Sequence, residues 1–135
     1  MVGIVVVSHS ERAAEGIAEI AAEMAGDTRI EPVGGDGNGG IGTVPDAIED
    51  AIDAAAGAGG EAGGEESDGV VVLVDLGSAV MNADVAVELS DAEAVIADAP
   101  VLEGAVNAAV AATDPSATIA SVREQAEAAR DVEKL

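Results

Sequence analysis

Two short runs of apolar residues constrain the fold of this chain more than any other feature. Residues 2–7 and 70–74 are apolar at nearly every position, and most of their side chains are β-branched. A strand with one solvent-exposed face alternates apolar and polar residues. A strand that is apolar throughout is buried on both faces, as in a parallel sheet. The sequence therefore predicts a parallel sheet that is covered by helices on both sides.

The segment between the first two predicted strands has the spacing of an amphipathic helix. Residues 11–24 place Ala13, Ile17, Ile20 and Met24 three to four positions apart, and glutamates recur every four residues beside them. This spacing predicts a helix over 11–24 whose inner face consists of those four apolar side chains.

The rest of the chain continues the alternation of strands and helices. Further strands are predicted over 29–33 and 93–97, and further helices over 44–52, 79–89 and 102–112. We expect Thr43 and Ser78 to cap two of these helices, and Asp114 with Pro115 to begin a last helix that runs towards Arg130. The predicted order β-α-β-α-β-α-β-α-α indicates the α/β class, with a doubly wound, mostly parallel open sheet and helices on both faces.

The length of 135 residues suits one domain that spans residues 1–135. Glycine and glutamate dominate residues 57–67, where the composition predicts a flexible linker inside that domain.

The charge balance is extreme, with 27 acidic residues against five basic ones and a formal net charge of −22. Such a surface repels nucleic acid and anionic membranes, so neither is an expected partner. Disorder is not expected either, because 49% of the residues are hydrophobic. Acidic repulsion weakens at molar salt, where the screening length is about 3 Å, and we interpret the charge as an adaptation to high salt, as in a halophile. An acidic surface that binds a partner is the alternative.

The chain has no cysteine, and no apolar run approaches the roughly 20 residues that span a bilayer. Disulfides and thiolate metal sites are thereby excluded, and we expect a soluble, cytoplasmic protein. One histidine among scattered carboxylates does not predict a metal site, and no motif predicts a bound cofactor.

Polar side chains follow both buried strands at the point where each strand ends. Ser8-His9-Ser10 follows the first run, and Asp75 follows the second. Ligands of open α/β sheets bind beyond the carboxyl ends of the strands, so neighbouring strands would bring His9 and Asp75 together. A carboxylate that holds one ring proton leaves the other ring nitrogen free for attack on phosphorus. An inert histidine and an aspartate that only caps a helix are the alternatives.

No lysine or arginine accompanies these residues to neutralise a phosphoryl group, so backbone N–H groups are the expected donors. Candidates are the N–H groups near Ser10, Gly42, Gly77 and Ser78, and the hydroxyl of Thr43. The glycine-rich segment 34–42 resembles nucleotide-binding loops only in composition, because it lacks their lysine and follows the second predicted strand.

Four segments together resemble a known family. They are the opening Val-Gly-Ile-Val-Val-Val-Ser-His-Ser, Ile41-Gly42-Thr43, Asp75-Leu-Gly-Ser-Ala79 and Pro100-Val-Leu-Glu-Gly104. The first and third are similar to mannose-family IIA domains of the phosphoenolpyruvate-dependent phosphotransferase system. Within that family, the segments most resemble the phosphotransferase subunits of phosphoenolpyruvate-dependent dihydroxyacetone kinases.

The resemblance implies a flavodoxin-like homodimer in which His9 carries a phosphoryl group on Nε2 and Asp75 supports the ring. It implies an HPr-type phosphocarrier as donor, and as acceptor the ADP on the nucleotide-binding subunit of the kinase, which serves the phosphorylation of dihydroxyacetone. Some relatives carry the donor proteins as fused segments, whereas this chain is expected to need them as separate proteins. A sugar-specific IIA component that serves a IIB domain, and a non-catalytic flavodoxin-like binding module, are the alternatives.

Overall fold

The computed structural model describes residues 1–57 and 68–135, so the predicted linker lies outside the described residues except for Gly57. The order of strands and helices agrees with the predicted order. In chain order they are β1 (Gly3–Ser8), α1 (Glu11–Ala22), β2 (Ile30–Gly34), α2 (Pro45–Ala55), β3 (Val70–Val74), α3 (Val80–Leu89), β4 (Ala94–Ile96), α4 (Val101–Ala112) and α5 (Ile119–Ala128).

The four strands form one sheet in the order β2-β1-β3-β4, and every neighbouring pair is parallel. Ile4 in β1 lies opposite Ile30 on one side and opposite Val71 on the other. The two strands with continuous apolar runs thus occupy the centre, and the shorter strands β2 and β4 form the edges. The prediction of a doubly wound parallel sheet is confirmed.

Alternate residues of the central strands build two separate cores. Ile4, Val6 and Leu73 face a layer that contains α1, α4 and α5, and Val5 and Val72 face a layer that contains α2 and α3. Successive side chains of a strand point to opposite faces, so a strand covered by helices on both sides needs an apolar residue at each position. This requirement accounts for the two runs in the sequence.

Small side chains bring the helices close to the sheet. In α1 the buried residues are Ala14, Ala18 and Ala21, whereas Ala13 is exposed and Ile20 is half exposed, as is Met24 just beyond the end of the helix. The prediction for the inner face of this helix was therefore wrong, except at Ile17, which is partly buried against the core. Close approach to the sheet and to α4 favours alanine over larger apolar residues on the contact face.

The predicted caps at Thr43, Ser78 and Asp114 were also wrong. Helix α2 begins at Pro45 after Val44, so Thr43 lies one residue too early to cap it. A short 3-10 turn, Gly77–Ala79, precedes α3, and Ala79 takes the N-cap position. An N-cap residue must directly precede the first helical residue, which composition alone does not locate.

The last helix begins later than predicted. Thr118 caps α5 by accepting a hydrogen bond from the Ser121 N–H, and the Ser121 hydroxyl in turn accepts from the Thr118 N–H. Asp114 instead accepts hydrogen bonds from the N–H and hydroxyl of Ser116, which closes a turn. The same residue types favour turns and caps, because both structures need a short side chain that accepts from nearby backbone N–H groups.

Candidate functional site

The site lies at the carboxyl ends of β1 and β3, where the strand order reverses. From β1 the chain crosses to β2 on one side, and the later strands β3 and β4 add on the other side. His9 directly follows β1, and Asp75 directly follows β3. The Asp75 N–H donates to the Val7 carbonyl over 3.0 Å, which continues the pairing of the two strands up to the site.

Asp75 binds His9 and its neighbour through both carboxylate oxygens. Oδ1 lies 2.9 Å from His9 Nδ1, while Oδ2 accepts the His9 backbone N–H over 3.0 Å and the Ser8 hydroxyl over 2.9 Å. The side chains of His9 and Asp75 are each 20% exposed. Three hydrogen bonds thus hold the carboxylate against the ring, at a position that solvent and a reactant can still reach.

The charge of Asp75 decides where the ring carries its proton. Burial raises the pKa of Asp75, but hydrogen bonds from the His9 N–H, the His9 ring and the Ser8 hydroxyl outweigh it and hold the pKa below its usual value. An ionised carboxylate only accepts hydrogen bonds, so the proton between Nδ1 and Oδ1 belongs to Nδ1. In the neutral imidazole, Nε2 then carries a free lone pair.

Ser78 contacts the other ring nitrogen. Its Oγ lies 2.9 Å from His9 Nε2, and it donates the hydrogen bond because Nε2 carries no proton in this tautomer. Ser78 belongs to the short turn that precedes α3 and is exposed. Both ring nitrogens are thereby engaged, so the imidazole is held in one orientation.

Of the four predicted backbone N–H groups, two are already used within the site. The Ser10 N–H donates to the Ser8 hydroxyl over 3.1 Å, and the Gly42 N–H donates to the His9 carbonyl over 2.9 Å. The N–H groups of Gly77 and Ser78 meet no acceptor among the described residues. Backbone donors for an incoming anion therefore lie on the side of the turn before α3.

Ser10 contributes as a helix cap. Its hydroxyl accepts from the Ala13 N–H over 3.2 Å, which makes Ser10 the N-cap of α1. The cap also fixes the backbone immediately after His9.

The glycine-rich loop is organised by Asp36, which the sequence analysis did not single out. Its Oδ1 accepts the N–H groups of Asn38 and Gly40 over 2.8 and 2.9 Å, and these bonds lower its pKa. Gly42, which bonds His9, adopts φ 153° beside this loop. An aspartate among glycines is a turn signal, and in the folded chain this turn brings backbone to the histidine.

Thr43 contacts a residue that sequence reasoning also missed. Asn82, in the first turn of α3, donates from Nδ2 to the Thr43 hydroxyl over 2.7 Å and to the Thr43 carbonyl over 3.3 Å. Its position four residues after Ser78 was the available signal, since such residues share one side of a helix. Ser8, buried at the end of β1, was likewise absent from the predicted site.

Among residues 1–57 and 68–135, no three acidic or histidine side chains cluster closely enough to hold a metal ion. In the same ranges, no helix is both long and apolar enough to cross a membrane.

The fold and the site define a class of protein, a doubly wound α/β domain with a tautomer-fixed histidine at the switch point of its sheet. Residues 3–123 match the EIIA-man family model, described as the PTS system fructose IIA component. The chain belongs to this family, and the resemblance drawn from its motifs is confirmed.

Relatives and a solved structure agree with that assignment. The chain is 37% identical over 129 residues to the phosphotransferase subunit DhaM of the PTS-dependent dihydroxyacetone kinase of Lactococcus lactis, and the match covers 93% of each chain. It is 40% identical over 115 residues to the phosphoryl donor subunit DhaM of dihydroxyacetone kinase 2 of Listeria innocua, covering 82% of this chain and 85% of the relative. The crystal structure of EF1359, a protein of unknown function, superposes with a TM-score of 0.72 at 28% identity, covering 93% and 92% of the two chains.

Proposed function

We propose that this chain is the phosphoryl donor subunit of a phosphoenolpyruvate-dependent dihydroxyacetone kinase and that His9 is its phosphorylated residue. The observation that carries the proposal is the hydrogen bond between His9 Nδ1 and Asp75, which leaves Nε2 unprotonated and able to attack once Ser78 releases it. The names of the similar proteins support this choice of phosphoryl chemistry and of kinase.

The transfer needs no proton to leave the histidine. Nε2 attacks the phosphorus of a phosphohistidine on an HPr-type carrier, the new P–Nε2 bond forms, and the P–N bond of the donor breaks. The ring keeps its Nδ1 proton and becomes positively charged, and the carboxylate of Asp75 stabilises that charge. In the second transfer, an oxygen of the terminal phosphate of ADP attacks the same phosphorus and the P–Nε2 bond breaks. Positioning and electrostatics supply the catalysis in both steps.

Donors for the phosphoryl oxygens lie on the turn before α3. Ser78 releases Nε2 as the phosphorus approaches, and its hydroxyl then donates to a phosphoryl oxygen together with the N–H groups of Gly77 and Ser78. These neutral donors stabilise the negative charge of the phosphoryl group. Ser10 and Gly42 support the phosphoryl group indirectly, through the backbone that they hold around His9.

Exposed apolar side chains around the histidine fit a protein partner better than a small molecule. Ile41, Leu76 and Met81 are 74%, 57% and 76% exposed, and each is the neighbour in sequence of a residue that bonds the site. We name these three residues the apolar collar. A partner that covers the collar would exclude water from the P–N bond during transfer, and an acidic surface around it suits a basic partner.

We also propose that the chain forms the homodimer that its family resemblance implies. Val85 and Leu89 lie one turn apart on α3 and are 40% and 57% exposed, which leaves an apolar strip beyond the collar for a second copy. Sedimentation of Val85→Glu next to the wild type tests this surface. If Val85→Glu sediments as the same oligomer as the wild type, α3 is excluded from the interface.

With these partners, the protein would act in the cytoplasm. We also propose that it acts in concentrated salt. The formal net charge of −22 on 135 residues supports the second proposal, because screening is what relieves such repulsion.

The test uses intact mass after incubation with phosphoenolpyruvate, enzyme I and HPr at high salt. A gain of one phosphoryl group that acid removes is expected for the wild type and not for His9→Ala, because the chain has no other histidine. Added nucleotide-binding subunit with ADP should then discharge the phosphoryl group. A folded wild type that gains no phosphate would refute the proposal and favour a non-catalytic binding module.

The description of the matching family favours a second candidate, a sugar-specific IIA component that passes the phosphoryl group to a IIB domain. Both candidates share the chemistry at His9 and differ only in the acceptor. Discharge of the phosphorylated chain by a IIB domain, and not by the kinase subunit with ADP, would decide for this second candidate.

A further inference from the structure

The hydroxyl of Thr43 lies next to the start of α2 but bonds a residue of α3. Helix α2 takes Val44 as its N-cap and receives no side-chain cap, so the hydroxyl of Thr43 does not serve the helix. It accepts a hydrogen bond of 2.7 Å from Asn82 Nδ2, and it donates to no acceptor among the described residues. Its proton is therefore available to a group that binds at the site.

The orientation of the Asn82 amide follows from the same contacts. The amide faces both the hydroxyl and the carbonyl of Thr43, at 2.7 and 3.3 Å. A carbonyl oxygen only accepts hydrogen bonds, so the NH2 group and not the amide oxygen must point towards Thr43. An NH2 group only donates, and the Thr43 hydroxyl cannot turn its proton towards Asn82.

Both residues belong to segments that are hydrogen-bonded to the histidine. Gly42, the residue before Thr43, donates its N–H to the His9 carbonyl, and Ser78, four residues before Asn82, bonds His9 Nε2. Asn82 thus connects the segment that bonds the His9 carbonyl to the helix that follows Ser78.

We propose that Asn82 is a positioning residue for phosphoryl transfer, which holds Thr43 so that the threonine hydroxyl donates to the phosphoryl group at His9 Nε2. This inference rests on the proposed function. It assigns Asn82 a role that acts through Thr43, in addition to any tethering of the glycine-rich loop. The amide occupies a lone pair of the hydroxyl in the resting protein, so the donor needs no reorganisation when the phosphoryl group arrives.

A double-mutant cycle with Asn82→Ala and Thr43→Val tests the proposal. Phosphoramidate serves as the donor, because it has the P–N bond of a phosphohistidine and needs no docking surface. Each single substitution should slow phosphorylation of His9 by about a hundred- to a thousandfold, the range for loss of one transition-state donor. Both substitutions remove the same donor. Adding Asn82→Ala to Thr43→Val should therefore change the rate less than twofold, which is about the usual error of such cycles.

Matched controls separate this role from a structural one. Asn107→Ala removes a similar hydrogen bond from a side-chain amide, which Asn107 donates to the Gln125 carbonyl on the opposite face of the sheet. This variant should leave the rate unchanged. A structural tether through the 3.3 Å bond to the Thr43 carbonyl does not need the hydroxyl and would survive Thr43→Val. Such a tether would give additive effects, and additive effects would overturn the proposal. If Asn82→Ala does not fold, a wild-type rate in folded Thr43→Val overturns it equally.

The outcomes also distinguish this inference from the proposed function. If the wild type takes no phosphoryl group from phosphoramidate or from HPr, the proposed function itself fails. If the wild type is phosphorylated on His9 and the cycle is additive, only the role of Asn82 fails.

Discussion

Replacement of Asp75 by asparagine should reverse the tautomer of His9. In the wild type, Oδ2 accepts two hydrogen bonds, from the His9 N–H and the Ser8 hydroxyl, whereas Oδ1 accepts one from the ring. The asparagine has one acceptor oxygen, and more bonds are kept if that oxygen stays on the side with two donors. Its NH2 group then faces Nδ1, which must accept, and the ring proton moves to Nε2.

The size of the effect follows from these bonds. Restoring the reactive tautomer would turn the NH2 group towards the backbone N–H, which costs about 1–3 kcal/mol for an unsatisfied donor. Loss of the carboxylate also removes a charge-assisted bond to the positively charged ring of the phosphorylated state, which is worth about 1.5–3 kcal/mol. Since about 1.4 kcal/mol corresponds to a factor of ten, we expect phosphorylation to slow by about 10²- to 10⁴-fold.

Rapid-quench measurement of the phosphorylated fraction by intact mass gives the rate. The tautomer is observed separately by ¹⁵N labelling of histidine, which reports one ring because His9 is the only histidine. Asp84→Asn is the matched control, since Asp84 is an exposed acid on α3 that contacts neither ring nitrogen, and its rate should stay at the wild-type value. A proton that remains on Nδ1 in Asp75→Asn, together with a rate within about threefold of wild type, would refute this reasoning.

Three further predictions concern salt, acid and packing. The thermal midpoint should rise between about 0.1 M and 1 M KCl, because the screening length falls from about 10 to 3 Å; a flat or falling midpoint would count against salt adaptation. Because the folded pKa of Asp75 is depressed, its contribution to stability is complete above the unfolded value of about 3.9 and is lost as pH falls through the folded value. Urea titrations at high salt should therefore show the stability difference between wild type and Asp75→Asn shrinking below about pH 4, and a constant difference would contradict this. A Cβ at Gly34 would lie 2.6 Å from the Ser8 carbonyl and 2.7 Å from the Ser10 carbonyl, so Gly34→Ala should lower the free energy of unfolding by about 1–3 kcal/mol and slow phosphorylation. Gly16→Ala, where a Cβ meets nothing within 4 Å, should be neutral or stabilising, and equal losses in both variants would refute the packing argument.

The strands and the histidine were predictable because their signals are local. An apolar residue at every position of residues 70–74 indicates a strand buried on two faces, wherever its neighbours lie. The helix caps were not predictable in the same way, because Thr43 and Asp114 suit caps and turns equally well. The inner face of α1 was misjudged because the distance to the neighbouring helix, which the sequence does not contain, decided for Ala14 and Ala18 over Ile20.

Local pattern was sufficient for the class of fold, the order of its elements and the position of His9 at a strand end, because hydrophobic periodicity and chain order are properties of the sequence itself. Tertiary structure decided how the histidine is held. Asp75 and Ser78 meet the His9 ring from 66 and 69 positions away, and Asn82 reaches Thr43 across 39 positions. A hydrogen bond depends on distances of a few tenths of an ångström and on the direction of each donor, and only the packed sheet and helices set those.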